Sequence, residues 1–289
     1  MPAEPRYSEC YYQSSDGLRL YYRNYATAAK PSATPVICLP GLTRNSADFK
    51  ALAEWLSSDR RVIAPDLRGR GKSEYDDNLQ NYRPDRYVED VWTLLDELNI
   101  EQVIVVGTSL GGWMAMLMAQ DRPGALAAAI MNDIGPEIDA TGLRRVQESA
   151  GRLPKVSSLA EAIEQTRLAY GLAFPDWPEK AWIAYAEATY HKTSDSHYDL
   201  NSDRNIGEAS RAGVSGLRID PWLLFDALRR VPTLVIRGAI SDILSAETLV
   251  KMEQRHPRLQ TVTVSNRGHA PLMDEPEAVD AITIFLAPL

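Results

Sequence analysis

The sequence predicts an α/β protein: a mostly parallel sheet with helices on both faces and one inserted helical segment. Three observations carry this. Short apolar runs alternate with helical patterns up to Asp133 and again from Thr233, the stretch between them shows no clear buried strand, and one run, Val103 to Val106, passes straight into a glycine-rich turn and a helix. Both ends of the insertion rejoin the same rhythm. The expected division is therefore a core of residues 1–133 and 218–289, with residues 134–217 as a cap.

Taken in order, the alternating segments Ser8 to Gln13 and Leu18 to Tyr25 flank Ser14-Ser15-Asp16-Gly17. Asp-Gly suits a tight turn between twisted strands, so an antiparallel hairpin opens the chain. A strand at Val36 to Leu39, a helix near Ala47 to Ser57, a strand at Val62 to Ala64 and a helix near Pro84 to Leu98 follow. Next come the strand at Val103 to Val106, the helix after Ser109 and a strand at Ala127 to Asn132. Within the insertion, helical patterns recur around Gly142 to Gly151, Leu159 to Gly171 and Pro178 to Tyr190, with Phe174, Trp177, Trp182, Tyr185 and Tyr190 supplying aromatic mass. The rhythm resumes with a strand at Thr233 to Ile236, a helix near Ala246 to Arg255, a strand at Gln260 to Val264 and a last helix from Pro276 to Leu286.

A chain of 289 residues that is 45% hydrophobic and 24% charged can bury a sizeable core. Its net charge is −8, with lysine and arginine scattered among acids, which argues against a nucleic-acid partner. Cys10 and Cys38 lie in apolar strand-like stretches with no further cysteine near them, so they read as buried thiols, not as a disulfide framework or zinc site. Met1 to Arg6 contains no apolar signal region and no stretch reaches membrane-spanning length. A cytoplasmic protein with no membrane partner is expected, and the oligomeric state stays open.

Two glycine patterns lead nowhere. Asp66-Leu67-Arg68-Gly69-Arg70-Gly71-Lys72-Ser73 ends like a phosphate-binding loop, but Asp66 stands where that loop needs its first glycine, and Glu74 occupies the third glycine position of a dinucleotide fingerprint. A tight turn bordering the cleft is the better reading.

The chemistry gathers around Gly107-Thr108-Ser109-Leu110-Gly111-Gly112. A G-x-S-x-G pattern between a strand and a helix sets the serine on a sharp turn, where only very small flanking residues let the backbone pass. Ser109 is the expected nucleophile. Its hydroxyl needs a base, and imidazole has the right basicity. Of the four histidines, His256 reads as a surface turn in Arg255-His256-Pro257. His191 and His197 lie among Asp195, Asp199 and Asp203 without a recognised metal-ligand spacing, so hydrated surface is preferred to a metal site. His269 follows the strand Gln260 to Val264 and lies at the sheet edge where α/β proteins collect their sites.

A carboxylate that fixes the imidazole tautomer completes such a set. Asp242 is the preferred acid, standing in the loop after the strand Thr233 to Ile236, and Asp133, just past Asn132, is the rival. The oxyanion would be held by the amide of Leu110 and by that of Leu42, in Leu39-Pro40-Gly41-Leu42-Thr43.

Together, Leu39-Pro40-Gly41-Leu42, Asp66 to Ser73, Gly107 to Gly112, the Asp242 loop and Gly268-His269-Ala270 resemble the α/β-hydrolase superfamily, in its lid-bearing esterase, lactonase and C–C hydrolase branch. The resemblance spans nearly the whole chain outside the cap, and the order Ser, Asp, His matches it. Pro40 stands where many relatives carry histidine. The resemblance implies an α/β-hydrolase fold with a helical lid and a cofactor-free, metal-free serine hydrolase that cleaves a small to medium carboxylic ester or lactone. Ser109, Asp242 and His269 would be catalytic, Leu42 and Leu110 would form the oxyanion hole, and Trp182 and Tyr185 of the lid would meet a small-molecule substrate. A C–C bond hydrolase of β-diketone-type products stays open, although Ala270 and Pro271, not an aromatic residue, follow His269. So does a ligand receptor on the same fold.

Overall fold

The computed structural model describes residues 6–26, 33–214 and 219–289. The 217/218 boundary between core and cap, and residues 1–5 of the segment read above as lacking a signal region, lie outside the described residues. The opening hairpin pairs β1 (Ser8–Gln13) with β2 (Arg19–Tyr25), and the Ser14 hydroxyl closes its turn by accepting the Leu18 amide at 2.9 Å. β3 (Val36–Leu39), α1 (Lys50–Leu56), β4 (Val62–Pro65), α2 (Pro84–Glu97), β5 (Val103–Thr108), α3 (Leu110–Asp121) and β6 (Leu126–Asn132) follow.

The intervening segment carries α4 (Ala140–Ser149), α5 (Leu159–Tyr170), α6 (Glu179–Thr189), β7 (Tyr190–Lys192), β8 (Tyr198–Leu200) and α7 (Asn205–Arg211). Then come α8 (Pro221–Ala227), β9 (Thr233–Gly238), α9 (Ala246–Arg255), β10 (Leu259–Val264) and α10 (Pro276–Leu286).

The main sheet has the order β1-β2-β4-β3-β5-β6-β9-β10 and is parallel from β4 to β10. Its central strands are buried on both faces, as parallel strands under crossover helices must be. Alternate residues serve opposite cores: Val103 and Val105 pack with Trp92, Met114 and Phe225 under α2, α3 and α8, whereas Ile104 and Val106 pack with Leu52, Ile282 and Phe285 under α1 and α10. Cys38 is fully buried and Cys10 half-buried, and both are free thiols.

Three features differ from the sequence reading. The insertion contains a two-stranded hairpin, β7 against β8, because three-residue strands are too short to show alternation. The seven-residue α8, capped by Asp220 and opened by Pro221, is not in the expected element order, yet it packs on α3 through Leu224 and Phe225 as part of the core. His256 is no surface turn. It is buried, its Nε2 contacts the Leu228 carbonyl at 2.8 Å, and its Nδ1 accepts the Arg258 amide at 3.1 Å.

α3 crosses β3 and β5 at a distance only glycine permits. A Cβ on Gly111 would lie 2.0 Å from the Leu39 carbonyl oxygen, and one on Gly107 would lie 2.2 Å from the Gly111 carbonyl carbon. Gly111→Ala should therefore destabilise the protein by about 1–3 kcal/mol or more, as overpacking does. Gly171→Ala, where a Cβ meets nothing within 4 Å, should be near neutral. Urea denaturation of the two variants checks this, and equal stabilities would contradict the packing account.

Candidate active site

β5 ends at Thr108 and α3 starts at Leu110, so Ser109 makes the whole turn with φ 53° and ψ −111°. A non-glycine residue there costs about 1–3 kcal/mol and persists only where its surroundings hold it. They do so here through the Ser109 amide on the Asn132 carbonyl (2.9 Å), the Trp113 amide on the Ser109 carbonyl (3.1 Å) and the glycine crossing above. The strain has a use: it lifts the hydroxyl out of the sheet and toward the loop after β10. There Ser109 Oγ lies 2.8 Å from His269 Nε2.

The other imidazole nitrogen shows which carboxylate His269 meets. His269 Nδ1 lies 2.7 Å from Asp133 Oδ2, and Asp133 has no solvent exposure. Its Oδ1 accepts the Gly238 amide at 2.8 Å, and its Oδ2 also accepts the Ser241 hydroxyl at 2.6 Å. The rival acid, not Asp242, is thus the carboxylate on His269. The reason is local: Ser241 turns inward to Asp133, so its neighbour Asp242 turns outward and meets Arg145 of α4. That guanidinium grips Asp242 through Nε (2.5 Å) and Nη2 (2.7 Å). Burial pulls the Asp242 carboxyl upward, but the Arg145 hydrogen bonds and charge outweigh it and hold it below the usual carboxylate range.

Ser109 and His269 open into a cavity of about 90 Å³ whose walls include Gly41, Leu42, Arg145 and Tyr185. The loop bearing Leu42 is held from beneath. Arg70, fully buried, donates to the Leu42 carbonyl from Nε (3.0 Å) and Nη2 (2.6 Å) and to the Arg68 carbonyl from Nη1 (2.6 Å), with its guanidinium 4.5 Å from the centre of the Tyr87 ring. The Asp66 to Ser73 turn is closed from within, where Asp66 accepts the Ser46 and Lys72 amides at 2.8 and 2.9 Å. Leu110 begins α3, so its N–H has no carbonyl within the helix to meet. Leu42 lines the cavity beside Ser109, and Leu110 follows the serine at the start of α3.

Of the two aromatics expected to meet substrate, one lies at the cavity. Tyr185 lines the cavity, with the Arg44 guanidinium 3.7 Å from its ring centre, and burial pushes its phenol up in spite of that charge. Trp182 is a correction: it is buried in the inserted segment's own aromatic cluster, 4.9 Å from Trp177 and 6.2 Å from Phe174 between ring centres, and it does not line the cavity. Arg44 and Arg145, missed in the sequence, are the cationic walls. Arg44 is bound by Asp48 at 2.5 and 2.7 Å and reaches Thr189 at 2.5 Å, tying the loop after β3 to the end of α6, while Asn45 donates to the Ala188 carbonyl at 2.7 Å.

Among the described residues, no group of three or more His, Cys, Asp and Glu side chains could hold a metal ion. The acids around His191 and His197 have other partners: Asp195 pairs with Lys155, Asp199 with Arg204, and Asp203 accepts the Tyr82 hydroxyl. No helix of the described residues is long and apolar enough to cross a membrane.

A buried carboxylate, an imidazole and a strained serine on one sheet edge define a class. The chain belongs to the α/β-hydrolase fold family, whose model matches residues 34–276. More particularly, it is 31% identical over 290 aligned residues to a 3-hydroxybutyrate-oligomer hydrolase of Cupriavidus necator, covering 96% of this chain and 97% of that one. It is 30% identical to a 2-(acetamidomethylene)succinate hydrolase of Mesorhizobium japonicum, covering 89% of each. The crystal structure of an α/β hydrolase from Novosphingobium aromaticivorans superposes with a TM-score of 0.94 at 41% identity, covering 99% of this chain and 100% of that one. The chain is an enzyme of the hydrolase class.

Asp133→Asn should reduce kcat on a short aryl ester by about 10⁴-fold, because an amide favours the wrong imidazole tautomer. Asp242→Asn should stay within about tenfold of wild type, the size of effect expected of a half-exposed ion pair. Steady-state kinetics on both variants decide between the two acids, and the reverse ranking would restore Asp242.

Proposed function

We propose that the protein is a cofactor-free serine hydrolase that cleaves a carboxylic ester with a short acyl group through an acyl-enzyme. The observation that carries this is the continuous chain Asp133–His269–Ser109, at 2.7 and 2.8 Å, opening into a cavity of about 90 Å³.

Ser109 Oγ attacks the ester carbonyl carbon while His269 Nε2 takes its proton. Asp133 keeps the imidazole in the accepting tautomer and stabilises the imidazolium. Charge forming on the carbonyl oxygen meets the Leu42 and Leu110 amides, fixed in place before the reaction, one by the Arg70 grip and the other by the start of α3. His269 returns its proton to the departing alcohol oxygen. Water then gives a proton to His269 and attacks the acyl carbon, the acid leaves, and the Ser109 hydroxyl is restored.

Cavity size favours a small group beside Ser109. One water needs roughly 10–15 Å³ of such space, so the cavity suits a short acyl chain of a handful of non-hydrogen atoms. The Cupriavidus necator relative, named for 3-hydroxybutyrate oligomers, supports a short acyl unit. Residues 134–217 are read as the lid, and the substrate as a small molecule with no nucleic-acid or membrane partner. Lactones, esters and β-diketones make one informative panel: turnover of β-diketones alone would favour the C–C reading, and tight binding without turnover would favour a receptor.

A fluorophosphonate probe should label wild type at Ser109 and leave Ser109→Ala, still folded by circular dichroism, unlabelled. From 4-nitrophenyl butyrate to the dodecanoate, kcat/KM should fall by about 10- to 100-fold, since a long chain must force packed side chains apart. Labelling of Ser109→Ala, or a preference for the dodecanoate, would overturn the reading. Leu42→Pro removes one oxyanion donor and should cost about 10²–10³ in kcat with labelling reduced and the fold kept, whereas Leu42→Ala should act mainly on KM.

A further inference from the structure

We propose that Arg145 is the anchor for a carboxylate on the substrate, and that this carboxylate takes the place of Asp242, making the natural substrate an anionic short ester. The inference rests on the serine-hydrolase reading and narrows it to a substrate class.

The walls of the cavity carry the charged side chains Arg44, Asp48, Arg145 and His269. Three of them are committed. His269 is held between Ser109 and Asp133. Arg44 and Asp48 hold each other in a nearly buried pair, with Thr189 and the Tyr185 ring fixing the guanidinium further. Arg145 is different: its partner, Asp242, is not among the cavity walls, and both side chains of the pair are more than a third exposed, at 38% and 39%. An ion pair so hydrated contributes little, so exchanging one carboxylate for another costs little. A guanidinium presents the same planar fork to either.

The fork is held in place by its helix. A Cβ on Gly142, one turn before Arg145, would lie 1.9 Å from the Asp242 carbonyl oxygen, and the Asp139 amide donates to the Ile243 carbonyl at 3.0 Å. α4 thus packs backbone to backbone against the Asp242 loop and delivers Arg145 to the cavity wall from a fixed position. An uncharged substrate gains nothing from a guanidinium there. A substrate with a carboxylate would bind it bidentately inside a cavity shared with the nucleophile, while Asp242 turns to solvent.

Two matched ester pairs test this, the first with the same leaving group in both members. One carries the carboxylate on the acyl half (mono-4-nitrophenyl glutarate against its methyl ester), the other on the alcohol half (4-acetoxybenzoate against its methyl ester). Wild type should prefer the anionic member of at least one pair by about tenfold or more in kcat/KM, carried by KM, the range of a charge-assisted hydrogen-bonded contact. Arg145→Gln should bring that ratio to near one. Asp242→Asn, which removes the competing carboxylate, should raise it.

Calorimetric titration with glutarate reads the same site without turnover: binding should be seen in wild type and lost in Arg145→Gln. No anionic preference in either pair, a preference that survives Arg145→Gln, or glutarate that fails to bind would each overturn the proposal. So would an Arg145→Gln variant that lowers thermal stability and slows both members of each pair alike, as a mere latch between α4 and the core would. Failure of the underlying reading looks different: Ser109→Ala would retain hydrolysis of the neutral esters, whatever happens at Arg145.

Discussion

A carboxylate without solvent exposure must be satisfied by donors, and the way Asp133 is satisfied organises the site. Its donors come from separate parts of the chain: the Gly238 amide at the end of β9, the Ser241 hydroxyl in the next loop, and His269 beyond β10. Each bond has a second effect. The Gly238 and Ser241 contacts pull the loop after β9 onto β6, which sends Asp242 outward to Arg145 of α4. The His269 contact fixes the imidazole so that its other nitrogen faces Ser109. Removing Asp133 would leave His269 free to turn and strip the loop of its anchor.

The proposed nucleophile depends on a complementary constraint. Ser109 occupies a backbone conformation that is costly for a side chain, and the close crossing of α3 over β3 and β5 enforces it, since Gly107 and Gly111 leave no space for the turn to relax. Around this turn the cleft is preset. Arg70 fixes the Leu42 peptide from below, and Arg44 and Asn45 tie the loop after β3 to the end of α6. Donors held before the reaction need no reorganisation when charge develops, which is where an oxyanion hole gains its effect.

Much of this was legible in the sequence because it is periodic. The alternation of apolar runs and helical patterns gave the sheet and its covering helices, and the strand-turn-helix context of Gly107 to Gly112 singled out Ser109. The position of His269 after a strand was enough to choose it among four histidines. Short elements escaped, because α8 and the β7–β8 hairpin span too few residues for a period to show. The acid escaped for another reason. Asp133 and Asp242 both follow strands, and what separates them is the direction in which the Ser241–Asp242 dipeptide turns, a tertiary property that no local pattern records. Nothing local in the sequence marks Arg145, and only the packing of the inserted segment places it at the cavity and Trp182 in the segment's own aromatic cluster.

The account stands most directly on the proton between His269 and Asp133. Proton NMR of the protein at a pH where His269 is protonated reads it, because a hydrogen held between an imidazolium and a buried carboxylate is strongly deshielded and protected from exchange with water. The account predicts such a resonance, downfield of the amide envelope, in wild type and in Asp242→Asn, and its loss in Asp133→Asn. A resonance that survives in Asp133→Asn and vanishes in Asp242→Asn would contradict the arrangement on which the proposed chemistry rests.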